Sequence, residues 1–270
     1  NYFQAGTDSI IYAVREHPSL ATVQDTFKVF TLDAGVAGSF SDNSTASGLA
    51  DPGVANSAAW SDYNRDGVTD VFLANAGGQG VLYRGNSSGV FQAVTALPAA
   101  TGGEDASTAA WGDYNHDGRP DLFVGSAGAF GGAANHLYRN ESGGQFTDVT
   151  SAAGISGSAI TKSVTWVDFD CDGNPDIHVV NYGSKDQLYM CGRNGRFESY
   201  ADSAGIADAG DGVAAAWCDY DGDYRPDLYL VRENGANRLF HNNGDSSFTD
   251  VASTAGVAHT GNGAAAAWGD

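Results

Sequence analysis

Five tryptophans divide most of the chain into units of nearly constant length. Trp60, Trp111, Trp166, Trp217 and Trp268 lie 51, 55, 51 and 51 residues apart. Small residues precede most of them, as in the three alanines before Trp217. The tryptophans therefore mark one repeated position, and a regular repeat restricts the chain to architectures built from one supersecondary unit.

Short apolar runs recur in the same order within each complete unit. An acidic loop is followed by a buried-strand pattern, then by a run containing Leu-Tyr or Leu-Phe, and then by a Gly/Asn turn. A last run begins at Phe91, Phe146, Phe197 or Phe248. Apolar runs of this length between turn residues predict short β-strands. Together with the strand before the tryptophan, each unit contains four strands.

Four short strands in a unit of 51 to 55 residues, without a helical period, are typical of a propeller blade. We therefore predict an all-β fold: a β-propeller of four-stranded blades, with four clear repeats and a partial blade split between the termini. The strand before each tryptophan is predicted to be innermost, because strands near a central axis have room for small side chains only. A solenoid is the alternative, but solenoid repeats are usually shorter.

The chain begins partway through a unit. Phe27 to Val36 is similar to the closing strand that starts at Phe146, and Ile10 to Val14 fits the second strand of the same blade. We therefore expect an atypical N-terminal segment, residues 1–26, followed by β-propeller repeats over residues 27–270.

The C-terminal stretch from Ala264 to Asp270 reproduces only the innermost strand and the first loop aspartate. A strand without a neighbour leaves backbone hydrogen-bonding groups unsatisfied, so a partner strand is expected. Three partners are open: the N-terminal segment of the same chain, that segment of another copy, or further blades beyond Asp270. Donation between copies would be head-to-tail and would give a filament.

An acidic loop of nine residues follows each of the first four tryptophans. The loops span residues 62–70 (loop I), 113–121 (loop II), 168–176 (loop III) and 219–227 (loop IV). Side-chain oxygens at positions 1, 3, 5 and 9, with the backbone carbonyl of position 7, form an oxygen cage that suits a hard divalent cation. The predicted ligands are Asp62, Asn64, Asp66, Val68 and Asp70 in loop I; Asp113, Asn115, Asp117, Arg119 and Asp121 in loop II; Asp168, Asp170, Asp172, Asn174 and Asp176 in loop III; and Asp219, Asp221, Asp223, Arg225 and Asp227 in loop IV.

Calcium is the cation that these loops favour, with one site in each and about four in total. They are not EF-hands, because position 12 is a strand residue (Leu73, Val124, Val179 or Leu230) instead of a bidentate glutamate. Magnesium is less suited, since it tends to keep several of its waters. The alternative without metal is a set of ordinary Asx turns. We expect loop IV to bind most weakly, because Tyr224 replaces the glycine of position 6.

The loops, with the Leu-Tyr-Arg-Asn segment at Leu137 to Asn140 and the Phe-Thr-Asp-Val-Thr segment at Phe146 to Thr150, resemble the FG-GAP or VCBS-type repeats of calcium-binding β-propellers. Such repeats occur in integrin α-chains and many secreted bacterial proteins. The resemblance covers nearly the whole chain from about Phe27 onward. It implies calcium in each loop and an extracellular or cell-surface setting, but no single activity.

Charge excludes two classes of function. The chain has 33 acidic and 13 basic residues, a formal charge of -20 and a pI near 4.3. This charge repels phosphate backbones and anionic lipid head groups, so nucleic-acid binding and polybasic membrane binding are excluded. No apolar stretch is long enough to span a bilayer, so membrane insertion is not expected.

No nucleophile elbow, His-Glu-x-x-His, Cys-x-x-Cys or phosphate loop is present, and we expect no enzymatic activity. Histidines 116, 136, 178 and 241 are interpreted as surface or packing residues. The predicted function is an extracellular, calcium-stabilised structural, adhesive or binding module that self-assembles. The alternatives are a carbohydrate-binding lectin and a propeller-type polysaccharide-degrading enzyme. The expected partners are other copies of the chain, head-to-tail, or an extracellular protein or glycan.

Cysteines and glycosylation sequons give weaker signals about the compartment. In an oxidising compartment Cys171 and Cys191 are the expected disulfide pair and Cys218 a buried free thiol, whereas three reduced cysteines are the alternative. Sequons begin at Asn43, Asn86 and Asn140, and each is read either as a glycosylation site or as an unmodified polar turn.

Overall fold

The computed structural model describes residues 12–15, 27–32, 40–42, 45–49, 54–76, 78–94, 105–128 and 133–269. Within these residues the chain forms twenty strands and two helices of one turn each. The strands are β1 (Tyr12–Arg15), β2 (Phe27–Leu32), β3 (Phe40–Asp42), β4 (Val54–Ser61), β5 (Asp70–Ala76), β6 (Val81–Gly85), β7 (Phe91–Val94), β8 (Ala106–Gly112), β9 (Asp121–Ser126), β10 (Ala133–Ala134), β11 (His136–Asn140), β12 (Phe146–Asp148), β13 (Ser158–Val167), β14 (Asp176–Tyr182), β15 (Gln187–Cys191), β16 (Phe197–Ser199), β17 (Gly212–Cys218), β18 (Asp227–Arg232), β19 (Arg238–Asn242) and β20 (Phe248–Asp250). The helices are α1 (Ala201–Ala204) and α2 (Ala252–Ala255).

Four antiparallel four-stranded units repeat along the chain. They are blade I (β4–β7), blade II (β8, β9, β11 and β12), blade III (β13–β16) and blade IV (β17–β20). Within each blade the strands pair in chain order, and the first strands of successive blades contact each other. The predicted all-β architecture of four-stranded propeller blades is confirmed. Among the described residues, no helix is long and apolar enough to cross a membrane.

The second strand of each blade is the centre of the core. It is an apolar run buried on both faces, as Leu122 and Phe123 of β9 are. Apolar clusters join neighbouring blades, for example Phe72 of blade I with Leu122 of blade II. The first strand of every blade also carries a register shift at the same place, as between Ala55 and Ser57. The core is therefore a series of interfaces between sheets, each built the same way.

The repeated tryptophan fastens one blade to the next. The indole Nε1 of Trp111 donates to the carbonyl of Ala59, and that of Trp166 donates to the carbonyl of Ala110, at 3.0 and 3.1 Å. A Cβ at Gly112 would lie 2.5 Å from the Trp166 ring, so glycine is required beneath the indole. The small residues around each tryptophan thus allow the inner strands to approach closely.

The longer second repeat contains an additional strand. Asp121 and His136 are 15 residues apart, whereas Asp70 and Val81, which hold the same positions in blade I, are 11 apart. The extra residues include β10, which pairs with β13 of blade III. The 55-residue spacing therefore reflects an insertion between the second and third strands that reaches across to the next blade.

The sequence prediction for the N-terminal partial blade needs correction. Strand β2, within the stretch from Phe27 to Val36 that was predicted to close the blade, pairs with β1 on one side and with β3 on the other. The closing strand is therefore β3, and its first residue, Phe40, lies 51 residues before Phe91. The turn at Gly48 (φ +77°) repeats the turn at Gly154 (φ +84°), which also follows a closing strand. Most of residues 1–26 lies outside the described part of the chain, but β1 is in the second-strand position expected for Ile10 to Val14.

The predicted innermost strand near the C-terminus does not form a regular strand. Residues 264–269 have no strand assignment, and Asp270 lies outside the described residues. Trp268 still donates from Nε1 to the carbonyl of Ala216 at 3.1 Å, so it makes the repeated contact. Its side chain stacks on Tyr220 at 6.4 Å and remains 41% exposed.

An Asx side chain before the third strand caps the second strand in three blades. Asn135, Asp186 and Asn237 each accept a hydrogen bond from the last part of the preceding strand. Asp186 is 2% exposed, and its Oδ2 has no hydrogen-bond partner. Burial raises the pKa of Asp186 to about 8; the Asp208 carboxylate adds to this, and Arg232 and Arg238 oppose it.

Replacing Asp186 with asparagine, the residue of blades II and IV, should stabilise the protein at alkaline pH. The folded chain holds a proton that the unfolded chain releases near pH 4, so this carboxyl costs stability as the pH rises from about 4 to 8. Asp186→Asn should unfold with a free energy higher by about 1 kcal/mol or more at pH 8. The gain should shrink towards pH 5, as urea titrations at each pH would measure. The reverse exchange, Asn135→Asp, should show the opposite pH dependence. A difference between Asp186→Asn and wild type that does not change with pH would contradict the explanation.

Candidate functional site

The four acidic loops connect the first and second strands of their blades. Each loop begins directly after the strand that carries the tryptophan, and position 9 is the first residue of the second strand. The repeat of the fold therefore places all twenty predicted ligand residues at equivalent points of four blades.

In loop I the carboxylates and the backbone fold around each other. Asp62 accepts hydrogen bonds from the backbone N–H groups of Asp66 (3.0 Å) and Gly67 (2.8 Å). Asn64 accepts from Asp66 N–H at 2.9 Å, and Asp66 accepts from Val68 N–H at 2.9 Å. Position 1 is thereby held against positions 5 and 6 by hydrogen bonds to the loop backbone.

Loops II, III and IV repeat this pattern. The position 1 carboxylates of Asp113, Asp168 and Asp219 each accept from the N–H groups of positions 5 and 6, at 2.8 to 3.1 Å. The position 3 side chains accept from position 5, and the position 5 carboxylates accept from position 7, in every loop. Positions 1, 3, 5 and 7 are thus joined by the same hydrogen bonds in every loop.

The aspartate at position 9 is fully buried in every loop. Asp70 accepts from Tyr63 N–H at 3.2 Å and from Gly85 N–H, at the end of the third strand, at 2.8 Å. Burial raises the pKa of Asp70 to about 6 and those of Asp121 and Asp176 to about 7, because the charged form loses water. The pKa of Asp227 is also raised by burial. These carboxylates are therefore in surroundings that favour neutralisation.

Two observations in loops II, III and IV fit a divalent cation. Carboxylate oxygens of Asp168, Asp170 and Asp176 lie within 4.8 Å of one another, as do those of Asp219, Asp221 and Asp227. In loop II, Asp121 Oδ2 is buried and has no hydrogen-bond partner. Loops I and II have asparagine at position 3, so they offer an amide oxygen where loops III and IV offer a carboxylate.

In each loop two residues have the left-handed backbone conformation, those at positions 4 and 6. The sequence analysis identified only position 6. Position 6 has a positive φ in all four loops, including Tyr224 at +68°. Position 4 also has one, as in Cys171 at +58°, but in loop IV this residue is Gly222. Each loop thus contains one glycine and one non-glycine residue in this conformation. Backbone strain therefore gives no reason to expect weaker cation binding in loop IV, because the strain at Tyr224 is matched by strain at position 4 of the other three loops.

Arginine side chains are a feature of the loops that the sequence prediction missed. Arg119 and Arg225 were predicted only for their carbonyls, yet their guanidinium groups pair with Asp117 and Asp223 at position 5. In blade I, Arg84 on the third strand pairs with Asp66 at 3.1 Å. Position 5 is therefore partly neutralised in three loops, and the two-residue spacing from arginine to aspartate is a signal that could have been recognised.

In blades II and IV the last residue of the third strand links its blade to the acidic loop of the preceding blade. Asn140 Nδ2 donates to the carbonyl of Tyr63 at 2.8 Å, and Asn242 Nδ2 donates to the carbonyl of Phe169 at 2.8 Å. Cys191 occupies the same position in blade III. Because Asn140 is 1% exposed and its amide is engaged, the sequon there is a structural turn in the folded protein. Asn86 is exposed, and Asn43 lies outside the described residues.

The cysteines are free, which is the reduced alternative of the sequence prediction. Cys191 is buried, and its Sγ lies 3.9 Å from the carbonyl of Tyr114. Cys171 is exposed, and its Sγ faces the carbonyl of Tyr224 in loop IV at 3.8 Å. The two thiols point to different neighbours, so the predicted bridge is not formed. Cys218 is free but only half-buried.

Replacing Tyr224 with glycine should stabilise the protein. The side chain is 90% exposed, so almost no packing is lost, whereas a non-glycine residue in the left-handed region costs about 1–2 kcal/mol. The greater freedom of glycine in the unfolded chain offsets about 0.4–1 kcal/mol of this gain. We expect a net increase of up to about 1 kcal/mol in the free energy of unfolding, measured in urea. Tyr224→Ala, which removes the ring and keeps the Cβ, should show no gain. Equal stability of the two variants would show that the conformation carries no strain.

Comparison with known proteins agrees with this architecture. Models of the FG-GAP-like repeat match residues 62–124, 125–179, 168–230 and 219–270, and a model of the FG-GAP repeat matches residues 106–143. Cartilage acidic protein 1 of Homo sapiens is 28% identical over 168 residues, and that of Mus musculus is 29% identical over 167 residues. These matches cover 54% of this chain but 25% and 26% of the relatives, so the chain spans about a quarter of their length.

Two solved structures align with parts of this chain. The crystal structure of BBS1N in complex with ARL6DN, soaked with lead, gives a TM-score of 0.46 at 14% identity and covers 86% of this chain and 65% of that one. The structure of the Dos1 propeller gives a TM-score of 0.42 at 11% identity and covers 73% of this chain and 48% of that one. Since the repeat models match well over half of the sequence, the chain belongs to the family of proteins built from FG-GAP-like repeats.

Proposed function

We propose that this chain is an extracellular, calcium-stabilised β-propeller module with a structural, adhesive or binding role and no catalytic activity of its own. The observation that carries the proposal is the acidic loop pattern that recurs four times, each loop ending in a fully buried aspartate. We also propose that its partners are other copies of the chain or an extracellular protein or glycan.

Calcium would place a positive charge beside the buried carboxylates and compensate their negative charge. In loop III, Asp168, Asp170 and Asp172 already hold their oxygens through backbone hydrogen bonds, so little rearrangement is needed to enclose an ion. Asp176 is tied to Cys191 N–H at 2.7 Å, so the same carboxylate reaches both the loop and the third strand. Occupancy of the loop would therefore stabilise the packing of three strands at once.

An extracellular, non-catalytic role is supported by charge and by the histidines. The net charge of -20 agrees with the acidic character named in its relatives, which are also named for cartilage. His178 is 1% exposed inside a blade interface, and His136 is paired with Asp148 at 2.8 Å. Burial of His178 and the ion pair of His136 are typical of histidines that stabilise a fold. This supports a function in binding instead of proton transfer.

Removing calcium should lower the melting temperature. Each independent site filled at 100 times its dissociation constant contributes about 2.7 kcal/mol to folding, and excess EGTA removes this contribution. Calcium added back in excess of the chelator should restore the original transition, and magnesium should restore less of it. Differential scanning calorimetry with metal analysis of the dialysed protein would measure both effects. An unchanged transition in EGTA, together with no bound calcium, would overturn the proposal.

A lectin-like function is a second candidate, because an aromatic groove lies between blades III and IV. The groove has a volume of about 380 Å³ and is lined by Trp166, Trp217 and Tyr224, with Asp219 and Arg225 of loop IV beside them. Aromatic faces flanked by polar groups suit sugar rings, which present both C–H and hydroxyl surfaces.

Glycan binding through this groove should depend on the exposed tyrosine. Tyr224→Ala should abolish or strongly reduce binding on a glycan array, because the ring is the most exposed aromatic group of the groove. Val90→Ala removes an exposed apolar side chain from blade I and should leave binding intact. Equal binding by wild type and Tyr224→Ala would exclude the groove as the glycan site.

A further inference from the structure

Loop IV differs from the other acidic loops in having an imidazole nitrogen among its oxygens. His241 lies on β19, and its Nδ1 is 3.2 Å from Asp221 Oδ2 and 3.4 Å from Asp227 Oδ1. This nitrogen is enclosed by protein and makes no hydrogen bond, although the ring is partly exposed. Ligand atoms of Asp221, Asp223 and His241 all lie within 4.8 Å of one another.

The other blades have no histidine at this position of the third strand. The equivalent residues are Arg84, Arg139 and Met190. Arg84 is paired with Asp66, and Arg139 with Glu141 at 2.6 Å, so these side chains place a cation or a salt bridge at the site. His241 is thus a substitution that adds a neutral nitrogen donor to one loop of the four.

A nitrogen donor changes which cation the loop selects. Calcium takes oxygen ligands, whereas imidazole with carboxylates suits zinc and neighbouring divalent transition metals. Zinc bonds of 2.0–2.1 Å in a tetrahedron place neighbouring ligand atoms about 3.3 Å apart. The distance of 3.2 Å between His241 Nδ1 and Asp221 Oδ2 agrees with such an edge.

We propose that loop IV binds a divalent transition-metal ion of the zinc class, held by His241 Nδ1 and the carboxylates of Asp221 and Asp223, with Asp227 adjacent. The inference rests on the proposed function in one respect: loops I–III are taken to bind calcium, and loop IV has the same backbone geometry. A propeller of this kind would carry two types of metal ion.

Cobalt(II) is a suitable probe, since its visible absorption reports the number and geometry of its ligands. In saturating calcium, wild-type protein should bind one Co²⁺ per chain. His241→Met, which introduces the residue of blade III, should weaken that binding on the order of tenfold or more, because loss of an outer-shell partner alone costs that much. His116→Gln removes an imidazole from loop II, outside its predicted ligands, and should bind Co²⁺ like wild type. Copper(II) electron paramagnetic resonance of wild-type protein should show coupling to one imidazole nitrogen. This measurement does not depend on the folding of any variant.

The results separate this inference from the proposed function. Equal Co²⁺ affinity in wild type and His241→Met, or a copper spectrum without nitrogen coupling, would overturn the transition-metal site while leaving calcium in loops I–III. Co²⁺ binding that depends on His241, with no calcium bound to any loop, would overturn the proposed function and support the loop IV site.

Discussion

The buried aspartate at position 9 is the interaction on which the rest of each blade depends. In blade III, Asp176 accepts one backbone N–H from loop position 2 and another from the end of the third strand. One carboxylate therefore joins the loop, the second strand and the third strand. Its burial also raises its pKa to about 7, so the same residue that organises the blade makes a nearby cation favourable. The same buried carboxylate therefore organises the blade and supports the cation site that we propose.

Hydrogen bonds also connect the acidic loops of neighbouring blades, loop I with loop II and loop III with loop IV. Asn140 of blade II donates both to Tyr63 of loop I and to Pro120 of its own loop. Asn242 of blade IV does the same with Phe169 of loop III and Pro226. Because the asparagine bridges two successive loops, a change in one loop reaches the next through backbone carbonyls. The indole-to-carbonyl bonds of Trp111 and Trp166 reinforce the same direction of coupling, whereas the indole Nε1 of Trp217 makes no hydrogen bond.

The sequence predicted the blades well because they depend on side chains that recur at fixed spacing. It misplaced the N-terminal closing strand at Phe27, since local similarity outweighed the 51-residue period that identifies Phe40. It gave no sign of β10, whose two alanines have little strand propensity and pair only because blade III lies beside them. The arginine pairs and the nitrogen of His241 also depend on contacts between strands, which spacing along the chain does not display.

Loop IV shows why strain and chemistry must be considered separately. Tyr224 appears unfavourable in the sequence, since it occupies a position where the other loops have glycine. The structure shows that Gly222 relieves the strained position 4, so the number of non-glycine residues with positive φ is the same in each loop. What remains different is the donor set, in which His241 stands beside Asp221 and Asp227. A repeat with equal backbone cost in every unit can therefore differ between units in the side chains beside its loops. The transition-metal site that we propose in loop IV depends on one of these side chains, His241, which lies outside the loop itself.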